Sequence, residues 1–144
     1  MEAPVILNAD DINIRNQFFR VAELILLKGT RMTVDTSDTF SQKDAQLFID
    51  SCLLLVPISS VYIDGSTHQW ELIDGRKRLN AIVDFMAGVF PLPHVCCGVP
   101  AGTYYNDMEG WLKSRLLGLI IQAHVFTPGM STTTKRELIR RLRT

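Results

Sequence analysis

The sequence predicts a mixed α+β fold in one domain. Residues 59 to 73 alternate apolar and polar side chains in two short runs joined by Asp64-Gly65-Ser66, the pattern of a β-hairpin. On either side, apolar residues recur three and four apart, the period of amphipathic helices. At 144 residues the chain can build one sizeable core and not two. No repeat, low-complexity tract or Gly/Ser-rich or Pro-rich linker divides it.

The elements follow in order. From Asp10 or Asp11 to Lys28, the spacing of Ile14, Phe18, Val21, Ala22, Ile25 and Leu26 predicts a helix with Gly29 as its C-terminal cap. Residues 31 to 34 read as a short strand, and the DTSDT run after them as a polar turn. Ser41 is placed as an N-cap, with Asp44 in the capping-box position three residues on. The helix it opens sets Leu47, Phe48, Cys52 and Leu55 on one face and stops before Pro57. The hairpin comes next, and Asp74-Gly75 breaks its second strand. Helical spacing resumes at Leu79, Ile82, Val83 and Met86, and Gly88 ends it. Residues 91 to 102 form a loop rich in Pro and Gly. Met108, Trp111, Leu112 and Leu116 predict a further helix, residues 119 to 126 a buried strand, and residues 131 to 142 a basic terminal helix.

Composition narrows the function classes. With 47% apolar and 21% charged residues the chain is globular rather than disordered. Lys plus Arg and Asp plus Glu both total 15, so no global field draws it to nucleic acid or to an anionic membrane. The balance is uneven, however. The last ten residues carry five basic groups and one acid, which leaves the first 134 at a net charge of −4. Any nucleic-acid contact must therefore use local patches. Three cysteines, two of them adjacent, argue against a disulfide framework and for a reducing, cytoplasmic setting. The acidic start lacks a signal-peptide pattern, and no apolar run approaches a membrane span.

The segment richest in chemistry is Trp70-Glu-Leu-Ile-Asp-Gly-Arg-Lys-Arg-Leu-Asn-Ala-Ile. A strand runs into an Asp-Gly turn, and a helix opens on three consecutive cations. Helix N-termini expose unpaired N–H groups and carry partial positive charge, which favours a bound anion. Cations are ordinarily placed at the other end, so Arg76, Lys77 and Arg78 call for a compensating anion or carboxylate. Gly75 lets the backbone approach a phosphate, and arginine can grip phosphate oxygens in a fork. The alternative is a solvated turn whose surface cations pair with Glu71 or Asp74.

Residues 56 to 92, VPISSVYIDGSTHQWELIDGRKRLNAIVDFMAGVFPL, resemble the N-terminal domain of the GmrSD-type restriction proteins, domain of unknown function 262. That domain reads "G-x-P-I-P-x-I-Y", a hairpin, then "E-V-I-D-G-Q-Q-R-L-T-A-I-x-D-F". It belongs to the ParB and sulfiredoxin-like superfamily, whose "G-x-x-R" turn binds nucleotide phosphates. Gly75 and Arg78 match the two defining positions, and Glu71, Ile73, Asp74, Leu79, Ala81, Ile82, Asp84 and Phe85 extend the match. More weakly, the last eight residues resemble the family's "I-F-x-R-I-N-T". The departures are equally definite. The family's "P-x-F-Q-R-x-Y-V-W" is absent, the region reading MTVDTSDTFSQ. "Q-Q" is replaced by Arg76-Lys77, and the motif's terminal asparagine by Arg143. GRKR lacks the reactive cysteine of sulfiredoxin's "G-C-H-R", and no His-Asn-His nuclease module follows.

The resemblance implies a nucleoside triphosphatase or phosphotransferase tied to DNA restriction, modification or phage counter-defence, in a bacterium or its phage. Gly75, Arg76, Lys77 and Arg78 would bind the phosphates of a nucleoside triphosphate, with Mg²⁺ as its usual companion. Glu71, Asp74 and Arg78 are the candidate catalytic residues. On an unbroken strand Glu71 and Ile73 share one face and Leu72 and Asp74 the other, so both acids meet only if the turn swings Asp74 round. The blander reading makes Asp74 a helix N-cap or turn acceptor, and Glu71 an exposed strand residue or a partner of Arg78. The rival function is a non-catalytic module that binds DNA or a protein. Lys135, Arg136, Arg140 and Arg143 recur along one side of the terminal helix as a candidate DNA-backbone contact, against a helix-dipole role. An apolar face on the first helix would admit a homodimer. His94, Cys96 and Cys97 lack the second pair a zinc site needs and read as structural, so no protein metal ligand is assigned. Trp70, Tyr104, Tyr105 and Trp111 are assigned to the core.

Overall fold

The computed structural model describes residue 7 and residues 9–142. After a 3₁₀ turn at Ala9–Asp11, the chain forms β1 (Ile14–Arg20), α1 (Val21–Thr30), β2 (Met32–Thr33), α2 (Gln42–Leu53), β3 (Val61–Asp64) and β4 (Trp70–Asp74). It continues with α3 (Arg76–Met86), a 3₁₀ turn at Tyr105–Asp107, α4 (Gly110–Leu117), β5 (Ile120–Phe126) and α5 (Thr132–Leu142). The five strands form one mixed sheet in the order β1-β5-β3-β4-β2. β1 runs antiparallel to β5 and β3 antiparallel to β4, while β5 with β3 and β4 with β2 are parallel. The α+β class holds.

Alternation along the strands sorts the two faces of the sheet. Val61, Ile63, Leu72, Ile121, Ala123 and Val125 are 4% exposed or less and point to one side. There they join Leu24, Ile49, Leu53, Leu79, Ile82, Phe85, Leu112 and Leu116 in the main core. Helices α1 to α4 thus cover this face. Phe126 alternates to the opposite face, the side on which α5 lies, with Lys135 3.3 Å from the Asp64 carboxylate.

The first expected element is corrected. Residues 10 to 28 are not one helix: the first half is strand β1, in register with β5 from Ile14↔Phe126 to Arg20↔Ile120. Seven paired residues outweigh a helical spacing that rested on Ile14 and Phe18. Phe18 is in fact 65% exposed, and Phe19 is the buried one. Helix α1 then starts at Val21, where the Arg20 N–H donates to the Glu23 carboxylate at 3.0 Å. Ser41 does cap α2, its hydroxyl accepting the Asp44 N–H at 3.2 Å. The buried face of α2 is Ala45, Ile49, Cys52 and Leu53, whereas Leu47 and Leu55 are exposed. Among the aromatic residues assigned to the core, Trp70 is buried but Trp111 and Tyr104 are exposed. Trp111 instead donates its indole N–H to Glu109 at 2.7 Å.

Candidate functional site

The Asp74–Arg78 turn is built by a break in β4. Tyr62 pairs with Asp74, but Ile63 pairs with Leu72, so Ile73 is an extra residue on the β4 side. Such a bulge resets the two-residue alternation. Directly paired residues share a face, so Asp74 lies on the side of Tyr62, Asp64 and Glu71 rather than with Leu72. The expectation that the two acids point apart is therefore corrected.

Gly75 follows with φ of 107°, a left-handed conformation, and is the N-cap of α3. Its missing side chain matters twice over. A Cβ there would meet Val61 Cγ1 at 2.5 Å and the Arg78 guanidinium at 3.3 Å, in a conformation that L side chains rarely adopt. No side chain caps α3, so Asp74 is not the N-cap expected of it. The first helical bond at this end is from the Leu79 N–H to the Gly75 carbonyl at 3.0 Å, which leaves the amides of Arg76, Lys77 and Arg78 ahead of the helical ladder.

The three cations divide sharply in their surroundings. Arg78 turns inward, with its side chain 18% exposed. Its guanidinium donates to the carbonyls of Ser59 and, at 3.2 Å, Ser60, and sits 3.6 Å from Asp74. Burial lowers its pKa, and the neighbouring Asp74 carboxylate opposes that shift. Arg76 reaches back to the loop between β2 and α2, with Nε 3.0 Å from Asp38. Asn80, 3% exposed, secures the same loop by donating to the carbonyls of Asp35 and Asp38 at 2.9 and 3.0 Å. Lys77 is exposed and makes no hydrogen bond or ion pair among the described residues.

These groups line a cleft of about 470 Å³, well within the size range of small-ligand sites. Asp38, Asp74, Arg76 and Lys77 give it a charged side, and Phe40, Ile73 and Leu142 an apolar one. Glu71 is exposed and does not line it, so Asp74 is the candidate catalytic acid that the cleft retains. The sequence places Asp38 in a polar turn and assigns neither it nor Phe40 to the site. Their place depends on the Arg76 and Asn80 contacts, which span more than 35 residues.

The terminal helix is largely engaged with its own protein. Lys135 bonds to Asp64 and, at 3.1 Å, to the Ser66 hydroxyl. Arg140 and Arg141 both donate to Glu137, at 2.6 and 3.0 Å. Hydrogen bonds from Arg140 hold the Glu137 carboxyl down at about 2, against the opposing effect of burial. Arg136 is exposed, and Arg143 lies outside the described residues.

The His94-Cys96-Cys97 cluster is built into the fold. His94 lies 3.0 Å from Asp50, and the two thiols are 3.7 Å apart. Burial is the largest cause that raises the Cys96 thiol to about 12. Among the described residues no three His, Cys, Asp or Glu side chains are grouped to hold a metal ion. Nor is any described helix long and apolar enough to cross a membrane. Comparison of the chain with family models, curated proteins and solved structures finds no match in any of the three.

Proposed function

We propose that the cleft at Asp74–Arg78 binds the phosphate groups of a nucleotide. One observation carries the reading: the first residues of α3, which no side chain caps, and Lys77, which has no partner among the described residues, line a cleft together with the apolar Phe40, Ile73 and Leu142. The amides and Lys77 would hold the phosphates, and Phe40, Ile73 and Leu142 would face the base. Arg76 would join by exchanging Asp38 for the ligand. Arg78 serves from behind, keeping Gly75 and the Ser59–Ser60 carbonyls in place. A Mg²⁺ ion accompanying a triphosphate takes one or two carboxylates beside phosphate oxygens, and Asp74 and Asp38 are of that kind.

The activity that goes with this reading, from the resemblance, is nucleoside triphosphate hydrolysis or phosphotransfer linked to DNA restriction, modification or phage counter-defence in a bacterial cytoplasm. Phosphoryl transfer needs mainly positioning and charge stabilisation, so Asp74 would orient the attacking group and Lys77 would offset the developing charge. A second reading, a non-catalytic module that binds DNA or a protein, is favoured by one fact: Glu71 lies outside the cleft. A partner or a second copy would find exposed apolar surface at Phe18 and Leu26, 65% and 67% exposed.

Release of phosphate from ATP, GTP, CTP and UTP, with parallel binding measurements, separates the two. Hydrolysis by wild type, lost in Asp74→Asn while binding persists, supports the enzyme. Binding without any phosphate release by wild type refutes the enzyme and leaves phosphate binding at the cleft standing. Absence of nucleotide binding refutes the nucleotide reading and favours the module.

A further inference from the structure

A second cleft, of about 590 Å³, is lined by residues of β1, the end of β5 and the β3–β4 turn, away from the Asp74–Arg78 turn. Among the described residues no carboxylate lines it. Its charged groups are Arg15 on β1 and Arg31 just after α1, with His68, Ser66 and Thr67 beside them; the Ser66 hydroxyl is held by Asp64 and Lys135, and the Thr67 hydroxyl by the Gln69 carbonyl. Arg15 donates to Gln17 at 3.1 Å, and the Arg31 guanidinium lies 4.6 Å over the Trp70 ring. Neither arginine makes an ion pair among the described residues.

The floor is close-packed at one glycine. The Gly65 N–H donates to the Phe126 carbonyl at 2.9 Å, and a Cβ there would fall 2.6 Å from Val125 and 3.3 Å from Trp70. The backbone of the turn is thereby drawn against β5, and Ser66, Thr67 and His68, which follow it, border the cleft. Arg31 is fixed by stacking on Trp70, which removes part of the entropy cost of ordering it around a ligand.

Two guanidiniums without an ion-pair partner among the described residues select an anion, and their planar forks suit phosphate oxygens. A polyphosphate arriving with Mg²⁺ would find no carboxylate for its metal among the described lining residues. A phosphodiester carries one charge per unit and needs none. The exposed His68 ring supplies a stacking surface for a base. We propose that this cleft binds single-stranded nucleic acid, with a phosphodiester held by Arg15 and Arg31 and a neighbouring base stacked on His68. This site is separate from the nucleotide cleft and does not depend on it.

The test is fluorescence anisotropy with a labelled thymidylate 12-mer, titrated at several salt concentrations. Wild type should bind, and more weakly as salt rises. Arg15→Ala should weaken binding about tenfold or more, as expected for a lost charge-assisted bond. It should also reduce the slope of log K against log salt by roughly 0.7, one single-strand phosphate. Arg15 is exposed, and a thermal melt checks that its removal leaves the fold intact. His68→Ala should weaken binding without changing the salt slope. Arg136→Ala, on α5, should bind as wild type does. The proposal is overturned if wild type does not bind, if Arg15→Ala binds unchanged, or if Arg136→Ala alone abolishes binding. Equal competition by thymidine monophosphate at the same phosphate concentration would refute the strand.

Discussion

Replacing Gly75 with alanine isolates the steric basis of the turn. Two costs combine. The φ of 107° is a conformation that L residues rarely adopt, and holding one there costs about 1–3 kcal/mol. The added Cβ would also stand 2.5 Å from Val61 Cγ1 and 3.1 Å from Val61 Cβ, far inside the optimal carbon–carbon separation of about 3.5–4.0 Å. Val61 is 4% exposed and sits in the core, so relief requires a shift of packed atoms, at about 1–3 kcal/mol more. The expected loss is therefore about 2–6 kcal/mol, a large share of the 5–15 kcal/mol typical of a folded domain. Urea unfolding followed by circular dichroism measures it directly. Val61→Ala offers the internal check, because it removes Cγ1. Alone it should destabilise by about 1–3 kcal/mol. In combination with Gly75→Ala the loss should fall short of the sum by about 1 kcal/mol or more, since the 2.5 Å contact with Cγ1 is absent from the double variant and only the 3.1 Å approach to Val61 Cβ remains. A Gly75→Ala protein within about 0.5 kcal/mol of wild type would refute the argument. Strict additivity would refute its steric half.

Two further outcomes follow from the contacts around the site and on α5. Arg78→Ala should destabilise by about 2–4 kcal/mol in urea unfolding, because it strips donors from the Ser59 and Ser60 carbonyls and leaves Asp74 unpaired. Arg78→Lys should recover only part of this, since an ammonium cannot fork between two carbonyls; full recovery would contradict the assigned role. Glu137 has a carboxyl lowered from 4.5 to about 2, so its ionised form stabilises the fold above pH 4.5, and that contribution is lost as pH falls through about 2. Melting temperature measured across this window should fall less steeply in Glu137→Gln than in wild type, and parallel curves would count against the Arg140 and Arg141 contacts.

The sequence carried the hairpin, the Gly75 break and the opening of α3 because each has a local chemical marker: alternation, Asp-Gly turn residues and resumed helical spacing. The β1 segment had none. As an edge strand with Phe19 as its one buried residue, it shows almost no alternation, and its Ile14 and Phe18 happen to fit a helical period. Only pairing with β5, more than 100 residues away, decides it. The bulge at Ile73 is equally silent locally, yet it determines which face Asp74 takes. The sequence places both Arg76 and Arg78 on the phosphates, with Arg78 alone also catalytic, and carries no local sign of what each side chain contacts. Their difference lies in distant partners, Asp38 for one and the Ser59–Ser60 carbonyls for the other. The Glu137 clamp was legible and overlooked: arginines at i+3 and i+4 from a glutamate form a familiar helical ion-pair pattern.

Lys77 now provides the cleanest probe of the nucleotide cleft, because it faces the cleft without bracing the fold. A thermal-shift titration with ATP, GTP, CTP and UTP, with and without Mg²⁺, should be run on wild type and Lys77→Ala. A ligand at 100 times its dissociation constant stabilises the folded state by about 2.7 kcal/mol. The predicted result is a nucleotide-dependent rise in the wild-type midpoint that is sharply reduced in Lys77→Ala, with unliganded melting unchanged between the two. A wild-type midpoint that no nucleotide moves, or a full shift retained by Lys77→Ala, would contradict phosphate binding at this cleft.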